Sequence, residues 1–257
     1  MARAQRNRWG LRLDAMILAA GAGTRLRPMT DRVPKALVEV GGKPLLAWVA
    51  TRLVDAGADR LIINIHHHAD QIRSFVTSVG NFGVDVKFSF EPEGPLETGG
   101  GLAAATPHFR GASPFFIHNS DIITEIDLRG LYAAHEADAD ALVTLAVGGR
   151  ESWRYLIFDE KGLCGHGNER TGERGLVREP RGEAQNLPFT GVHVADSGLL
   201  NQLTETGKFS IISTYLRLAR EGTRIAPYDI GGALWMEVGN PNRLAQARAW
   251  ADSGGTG

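Results

Sequence analysis

Short, wholly apolar runs alternate with amphipathic stretches along most of the chain. Ala15-Met16-Ile17-Leu18-Ala19 and Leu61-Ile62-Ile63-Asn64-Ile65 carry almost no polar content, which predicts strands covered on both faces. Val84 to Phe90, Pro114 to His118 and Ala141 to Val147 predict further strands. Between them, Pro44 to Ala56 predicts a helix that begins near a proline and stops at Gly57, and Ala69 to Val79 and Leu128 to Ala137 predict two more. A short helix is expected over Leu102 to Ala105, after glycines. Late in the chain, Phe189 to Val194, Arg224 to Tyr228 and Leu234 to Val238 read as strands, with helices over Ile211 to Glu221 and Arg243 to Trp250. Such alternation predicts an α/β fold, a parallel or mixed sheet with helices on both faces. The pattern loosens from Gly148 to Pro188, where only Tyr155 to Phe158 reads as a strand. The expected organisation is one domain over residues 14–250 with an insertion at 148–188. Residues 1–13, acid-free and arginine-rich, read as a loose extension, and residues 251–257 as a flexible tail.

Composition narrows the function classes. The 257 residues hold 28 Lys plus Arg against 29 Asp plus Glu, a formal net charge of -1. That balance argues against a general electrostatic grip on nucleic acid or an anionic membrane. No apolar run approaches the roughly 18 residues of a membrane span. Cys164 is the one cysteine, so an intramolecular disulfide and a cysteine-based zinc cluster are excluded, which fits a reducing cytoplasm. Glycine stands out at 32 residues, well above the usual share of roughly 7%. Dense glycine means tight turns, or backbone that lets a ligand come close. Lysine is scarce among the basic residues (Lys35, Lys43, Lys87, Lys161 and Lys208), so a lysine beside a glycine loop carries weight.

The first strand runs into Leu18-Ala19-Ala20-Gly21-Ala22-Gly23-Thr24-Arg25-Leu26-Arg27-Pro28-Met29-Thr30, with Pro34-Lys35-Ala36-Leu37 beyond. A glycine-rich turn at the carboxyl end of a parallel strand presents backbone N–H groups to phosphate oxygens. Arg25 adds a planar, permanently charged fork, and Lys35 a second positive charge. On spacing alone three readings compete. A dinucleotide-binding turn lacks its third glycine here, a P-loop lacks Gly-Lys-Ser/Thr, and a plain glycine turn with solvated basic residues stays open.

The longer string, continued by Gly42-Lys43-Pro44-Leu45-Leu46, resembles the start of the sugar-1-phosphate nucleotidylyltransferases. The resemblance implies a Rossmann-like sheet of the nucleotide-diphospho-sugar transferase type. It implies a loop that wraps nucleotide phosphates with Ala19, Ala20, Gly21, Gly23 and Thr24, and it assigns charge stabilisation on the triphosphate to Arg25 and Lys35. Asp14 departs from the basic residue common before the first strand, with no catalytic consequence expected.

A second glycine cluster, Glu91-Pro92-Glu93-Gly94-Pro95-Leu96-Glu97-Thr98-Gly99-Gly100-Gly101, follows the strand ending near Phe90. Three glycines opening a helix would expose free N–H groups and leave room for a planar ring, although a flexible turn is the favoured reading in isolation. The family resemblance places the nucleobase and sugar here and implicates Glu93, Thr98 and Gly99, with Asn64 in support. The string is especially like that of bacterial N-acetylmuramate-1-phosphate uridylyltransferases, which serve peptidoglycan recycling. Guanylyltransferases for mannose or heptose phosphates have related strings.

Asp121 follows the apolar strand Pro114 to His118, where a carboxylate can hold a metal above a phosphate site; Asp127, before Leu128, reads as a helix cap. The resemblance makes Asp121 a magnesium ligand, with Asn119 on the substrate. Trp235-Met236-Glu237-Val238-Gly239-Asn240-Pro241 looks like the family's Trp-x-Asp-Val-Gly-x-Pro, with glutamate for aspartate, so Glu237 becomes the second ligand. Thr190 and Gly191 match a strand lining the sugar pocket, and Arg178 and Glu179 are the nearest match to a Glu-Lys-Pro stretch on the sugar phosphate. His66-His67-His68 invites a metal reading, but consecutive side chains cannot all point one way, and solvated or capping histidines are the expectation. Cys164 reads as structural. The expected partners are an NTP, UTP or GTP, and a sugar 1-phosphate, with magnesium as cofactor, a homodimer left open, and neither nucleic acid nor membrane. A nicotinamide-dependent dehydrogenase and an inactive nucleotide-sensing homologue are the rival readings.

Overall fold

The computed structural model describes residues 12–111, 113–149 and 152–255. The expected extension lies outside these except at Arg12 and Leu13. Leu13 belongs to the fold: it is buried, and its backbone N–H donates to Asp59 Oδ1 at 2.9 Å.

In chain order the elements are β1 (Asp14–Leu18), β2 (Glu39–Val40), β3 (Lys43–Pro44), α1 (Leu45–Asp55), β4 (Arg60–Ile65), α2 (Ala69–Ser78), β5 (Asp85–Phe90) and α3 (Glu97–Ala105). There follow β6 (Phe115–Asn119), β7 (Ile122–Thr124), α4 (Leu128–Ala137), β8 (Ala141–Val147), β9 (Arg154–Asp159), β10 (Gly162–Asn168), β11 (Glu173–Leu176) and β12 (Gln185–Leu187). The chain closes with β13 (Phe189–Ala195), α5 (Ile211–Arg220), β14 (Arg224–Asp229), β15 (Trp235–Glu237) and α6 (Pro241–Asp252). The last helix therefore takes in Ala251 and Asp252, which the sequence assigned to the tail.

Seven strands form the main sheet in the order β14-β8-β13-β6-β1-β4-β5. Its pairs are parallel except where β13 runs antiparallel to both β6 and β8, so the sheet is mixed, as expected. Strand side chains alternate between faces. Ala15 and Ile17 of β1 with Leu61 and Ile63 of β4 join Leu46, Val49, Leu53, Ile72, Val76 and Leu131 in one core, under α1, α2 and α4. Met16 and Ile62 face the other way, toward Leu102, Ile211, Tyr215 and Leu218 of α3 and α5. Asp127 caps α4 as expected, accepting from Gly130 N–H at 2.9 Å.

The insertion is more regular than its sequence. Beside the expected strand it contains β10, β11 and β12, and the four pair antiparallel as β11-β10-β9-β12. Leu156, Phe158 and Leu163 of this small sheet enter the second core, so the insertion covers one face of the main sheet. Cys164 is buried and its Sγ–H donates to Ile157 O at 3.3 Å, a structural role.

Two histidines sit inside the main sheet. Burial pushes His118 down to about 4, against a raising contribution from its Nδ1–H bond to Asn119 O. Burial, with His118 nearby, pushes His193 down to about 3. His193 packs edge-on against Phe189 and Tyr215. Both rings are neutral in the folded protein at pH 7. Because their folded values lie below the unfolded value near 6.5, their stabilising effect is intact above that pH and is lost as pH falls. Thermal melts should therefore show stability dropping by roughly 2 kcal/mol per ring between pH 6.5 and 5. His193→Phe should drop less, and equal acid slopes in parent and variant would refute the assignment.

Candidate active site

From β1 the chain passes to β4 on one side, while β6 lies on the other. The carboxyl ends of β1 and β6 thus flank the crevice where open α/β sheets bind ligands. The glycine-rich loop leaves β1 there, and Asp121 stands just past β6.

The loop is held at its start by Ala19 N–H donating to Asn64 Oδ1 at 2.6 Å. Gly23 is left-handed, at φ 63, and an added Cβ would lie 2.9 Å from Thr30 Cγ2 and 3.0 Å from Lys35 Cβ. Only glycine suits both the backbone angle and the space. Thr30 is buried and its hydroxyl donates to Gly23 O at 2.9 Å. From Ala20 through Arg25, the backbone N–H groups donate to no protein acceptor among the described residues. A run of open N–H donors at the end of a buried strand is a cradle for an anion.

The charged groups converge on the same place. Lys35 Nζ pairs with Asp121 Oδ2, and both side chains are mostly enclosed. Arg25 Nη2 lies 3.4 Å from Glu237 Oε1, and Arg243 Nη1 pairs with Glu237 Oε2. A two-stranded ribbon brings the carboxylates together: β15 pairs with β7, Glu237 opposite Ile122, and Val238 N–H donates to Asp121 O at 2.8 Å. A third core, with Leu26, Trp48, Ile123, Val238 and Leu244, supports the ribbon from below and ties α6 to it. Asn119 touches Gly191, where an added Cβ would lie 2.6 Å from Asn119 Nδ2.

Arg243 went unnoticed in the sequence. It is the third residue of α6, whose cap is Asn240. A cation near a helix N-terminus faces the positive end of the helix dipole, so an arginine there calls for a local carboxylate, and Glu237 is six residues back. Glu91 was also missed as a site element. It is buried, its Oε1 accepts from Asn64 Nδ2 at 2.7 Å and its Oε2 from Leu96 N–H at 2.8 Å, so it sets Asn64 and through it the loop. Glu93, by contrast, lies exposed on the following turn.

The second glycine cluster differs from expectation. α3 begins at Glu97, and the Gly99 and Gly100 N–H groups both donate to Phe209 O, at 3.0 and 3.3 Å. An added Cβ at Gly99 would lie 2.3 Å from the Phe209 ring, and one at Gly101 2.5 Å from Asn64 Nδ2. These glycines admit the protein's own chain. Thr98 Oγ1 accepts from Ile211 N–H at 3.0 Å, at the start of α5.

Two further expectations need correction. Arg178 does not present a free guanidinium to a sugar phosphate: Nη1 and Nη2 each reach an Asp159 oxygen at 2.6 Å, Nη2 donates to Gly162 O and Nε to Leu163 O. That pairing holds the buried Asp159 carboxyl well below its usual range and pins the β9–β10 hairpin, while Glu179 is exposed. Thr190 is buried with its hydroxyl on Ala146 O at 2.8 Å, so its side chain serves the sheet. The three histidines each reach a different backbone carbonyl, and among the described residues no group of three or more His, Cys, Asp or Glu is placed to hold a metal. Asp14 pairs with Arg110 at 2.6 Å at the opposite end of β1, away from this chemistry.

Beside the start of β13 lies a cavity of about 450 Å³ between the inserted sheet and α5. Tyr155, His166, Asn168, Glu173, Phe189 and Ser210 line it, a mix of ring faces and hydrogen-bonding groups. No described helix is long and apolar enough to cross a membrane.

The nucleotidyl transferase family profile matches residues 14–253. The N-acetylmuramate α-1-phosphate uridylyltransferase of Neisseria meningitidis serogroup B is 31% identical over 239 residues, covering 93% of this chain and 98% of the relative. That of Caulobacter vibrioides is 33% identical over 244 residues, covering 91% and 95%. The Drosophila melanogaster mannose-1-phosphate guanylyltransferase catalytic subunit beta is 29% identical over 231 residues, covering 88% of this chain and 59% of the relative. Among solved structures, a putative glucose-1-phosphate thymidylyltransferase from Bacillus anthracis superposes with a TM-score of 0.78 at 18% identity, covering 95% of this chain and 97% of the other, a likeness of fold.

Proposed function

The chain belongs to the nucleotidyl transferase family, as a sugar-1-phosphate nucleotidylyltransferase, and from that premise we propose that it couples UTP to N-acetylmuramic acid 1-phosphate, giving the UDP-sugar and pyrophosphate. The observation that carries the placement of the nucleotide is the run of open N–H donors from Ala20 to Arg25, flanked by Arg25 and Lys35. Support for the substrates is one of extent: the two uridylyltransferases are matched over 98% and 95% of their lengths, the guanylyltransferase over 59% of its length.

A sugar-phosphate oxygen attacks the nucleotide α-phosphorus in line with the leaving pyrophosphate. The P–O bond to the sugar phosphate forms as the bond to pyrophosphate breaks. The nucleophile is already anionic near neutral pH, so the chain needs no general base, and its task is positioning and charge neutralisation. The open N–H groups hold the triphosphate, Arg25 neutralises charge growing on the pyrophosphate, and Lys35 neutralises the reacting phosphates. The cavity under the inserted sheet takes the sugar, with Asn168 and Glu173 for its polar groups and Tyr155 and Phe189 for its faces.

Asp121 and Glu237 fit magnesium. They are two oxygen donors, one in the turn before β7 and one on its partner β15, each already drawing a cation, Lys35 on one and Arg25 with Arg243 on the other. Magnesium is commonly held by one or two carboxylates, with water and substrate phosphate completing its shell. When bound it would supply charge neutralisation for the reacting phosphates.

Competition between UTP and GTP at equal concentrations, each with its sugar phosphate, reads the ratio of kcat/KM. UTP with N-acetylmuramic acid 1-phosphate should win. A ratio favouring GTP with mannose 1-phosphate would transfer the assignment to the guanylyltransferases.

A further inference from the structure

The three histidines take no part in the chemistry above, yet two of them, His67 and His68, face the glycine-rich loop. His67 Nε2–H donates to Thr30 O at 3.1 Å, His68 Nε2–H to Asp31 O at 3.1 Å, and the Gln71 side-chain amide to Arg32 O at 3.0 Å. Three consecutive carbonyls are thus caught by three side chains from one turn and the first turn of α2. None of these carbonyls accepts a backbone N–H among the described residues. We infer that the segment from Asn64 to Gln71 is a clasp that shapes the phosphate loop, with His67, His68 and Gln71 as positioning residues for nucleotide binding.

The contacts run through to the loop's working part. Thr30, whose carbonyl His67 holds, gives its hydroxyl to Gly23 O at 2.9 Å and packs where a Gly23 side chain would stand. The other end of the loop hangs on the same segment, because Asn64 accepts from Ala19 N–H. Asn64 is fixed in turn by Glu91, and His66 Nδ1–H donates to Glu91 O at 2.7 Å. One short stretch therefore holds both ends of the loop and is itself anchored to the end of β5. His68 adopts a left-handed backbone, φ 52, which costs a non-glycine residue roughly 1 kcal/mol, and this conformation sets its ring against that of His67, 3.8 Å between centroids. A carbonyl accepts from a neutral or a protonated ring alike, so the clasp depends on a donor at the right height rather than on charge.

The physical effect is preorganisation. A loop fixed before binding does not have to be ordered by the nucleotide, and loosening it is felt as lost affinity. This inference rests on the reading that the Ala20–Arg25 N–H groups hold nucleotide phosphates, so its test has one arm that needs no substrate. His67→Ala, Gln71→Ala and the double variant remove donors, and His67→Gln restores one. Alanine is a strong helix former, so Gln71→Ala leaves α2 intact.

In amide hydrogen exchange of the free protein, the hydrogen-bonded amides of Leu26, Arg27, Asp31, Arg32 and Val33 should exchange roughly tenfold faster in the double variant, with β1 and β6 unchanged. In steady-state kinetics the KM for the nucleotide should rise roughly tenfold, with the KM for sugar 1-phosphate and kcat within a few-fold of the parent. His67→Gln should recover both. Unchanged exchange at these five amides would overturn the clasp. Faster exchange with an unmoved nucleotide KM, or equal rises in both KM values, would overturn its role in binding. If the parent turns over no nucleotide, the functional reading fails instead, and the exchange arm still decides the clasp.

Discussion

Asp121→Ala is expected to lower kcat by roughly 1,000-fold, about 4 kcal/mol, with little change in melting temperature. The carboxylate stands past the end of β6, mostly enclosed, with Lys35 as its ion-pair partner. Removing it takes away one of the two carboxylates of the proposed magnesium site and leaves Lys35 without the group that orients it. Asp121→Asn should be nearly as impaired, because an amide keeps the shape and loses the charge. Lys35→Ala should cost roughly 100-fold, about 2.7 kcal/mol, since Asp121 can still hold metal. The check is kcat from pyrophosphate release at saturating substrates, alongside thermal melts. Activity within tenfold of the parent in both Asp121 variants would remove this residue from the site.

Arg25→Ala should lower kcat/KM by roughly 100-fold. Its side chain is 64% exposed, so the loss cannot be one of packing. Its only ion-pair partner among the described residues is Glu237, which also holds Arg243. Glutamate at 237 carries one methylene more than the family's aspartate, and the two guanidinium groups take one carboxylate oxygen each, so the longer side chain is pinned at both oxygens. Glu237→Asp should therefore keep substantial activity with an altered magnesium requirement, while Glu237→Gln should be much worse. Magnesium titrations at saturating substrates compare them. A Glu237→Gln enzyme that titrates like the parent would show that charge at 237 holds no metal.

The main sheet was readable because strands buried on both faces leave unbroken apolar runs, as in Ala15 to Ala19 and Leu61 to Ile65. The inserted sheet was not. β10 is broken by Gly162, Gly165 and Gly167, and β11 is largely exposed, so neither shows an apolar run or alternation; pairing to β9 makes them strands. In the site, the fold pairs Lys35 with Asp121 and Arg25 with Glu237, four residues that the motif strings single out. Arg178 could not be judged from its neighbours in sequence, because its meaning lies in Asp159, on the preceding hairpin. The triple glycine posed the same difficulty. A glycine gives room, and sequence does not say whether the room is for a ligand or, as at Gly99, for a phenylalanine ring 110 residues further on. The histidine run was expected to be solvated or capping, and its contacts with the Thr30 and Asp31 carbonyls needed the fold.

The most direct measurement is pyrophosphate release from purified protein with magnesium, screening UTP, GTP, dTTP, CTP and ATP against a panel of sugar 1-phosphates. The expected result is release that requires both substrates, is highest for UTP with N-acetylmuramic acid 1-phosphate, and is matched one to one by UDP-sugar. No release with any pair, or nucleotide breakdown that ignores the sugar phosphate, would contradict it.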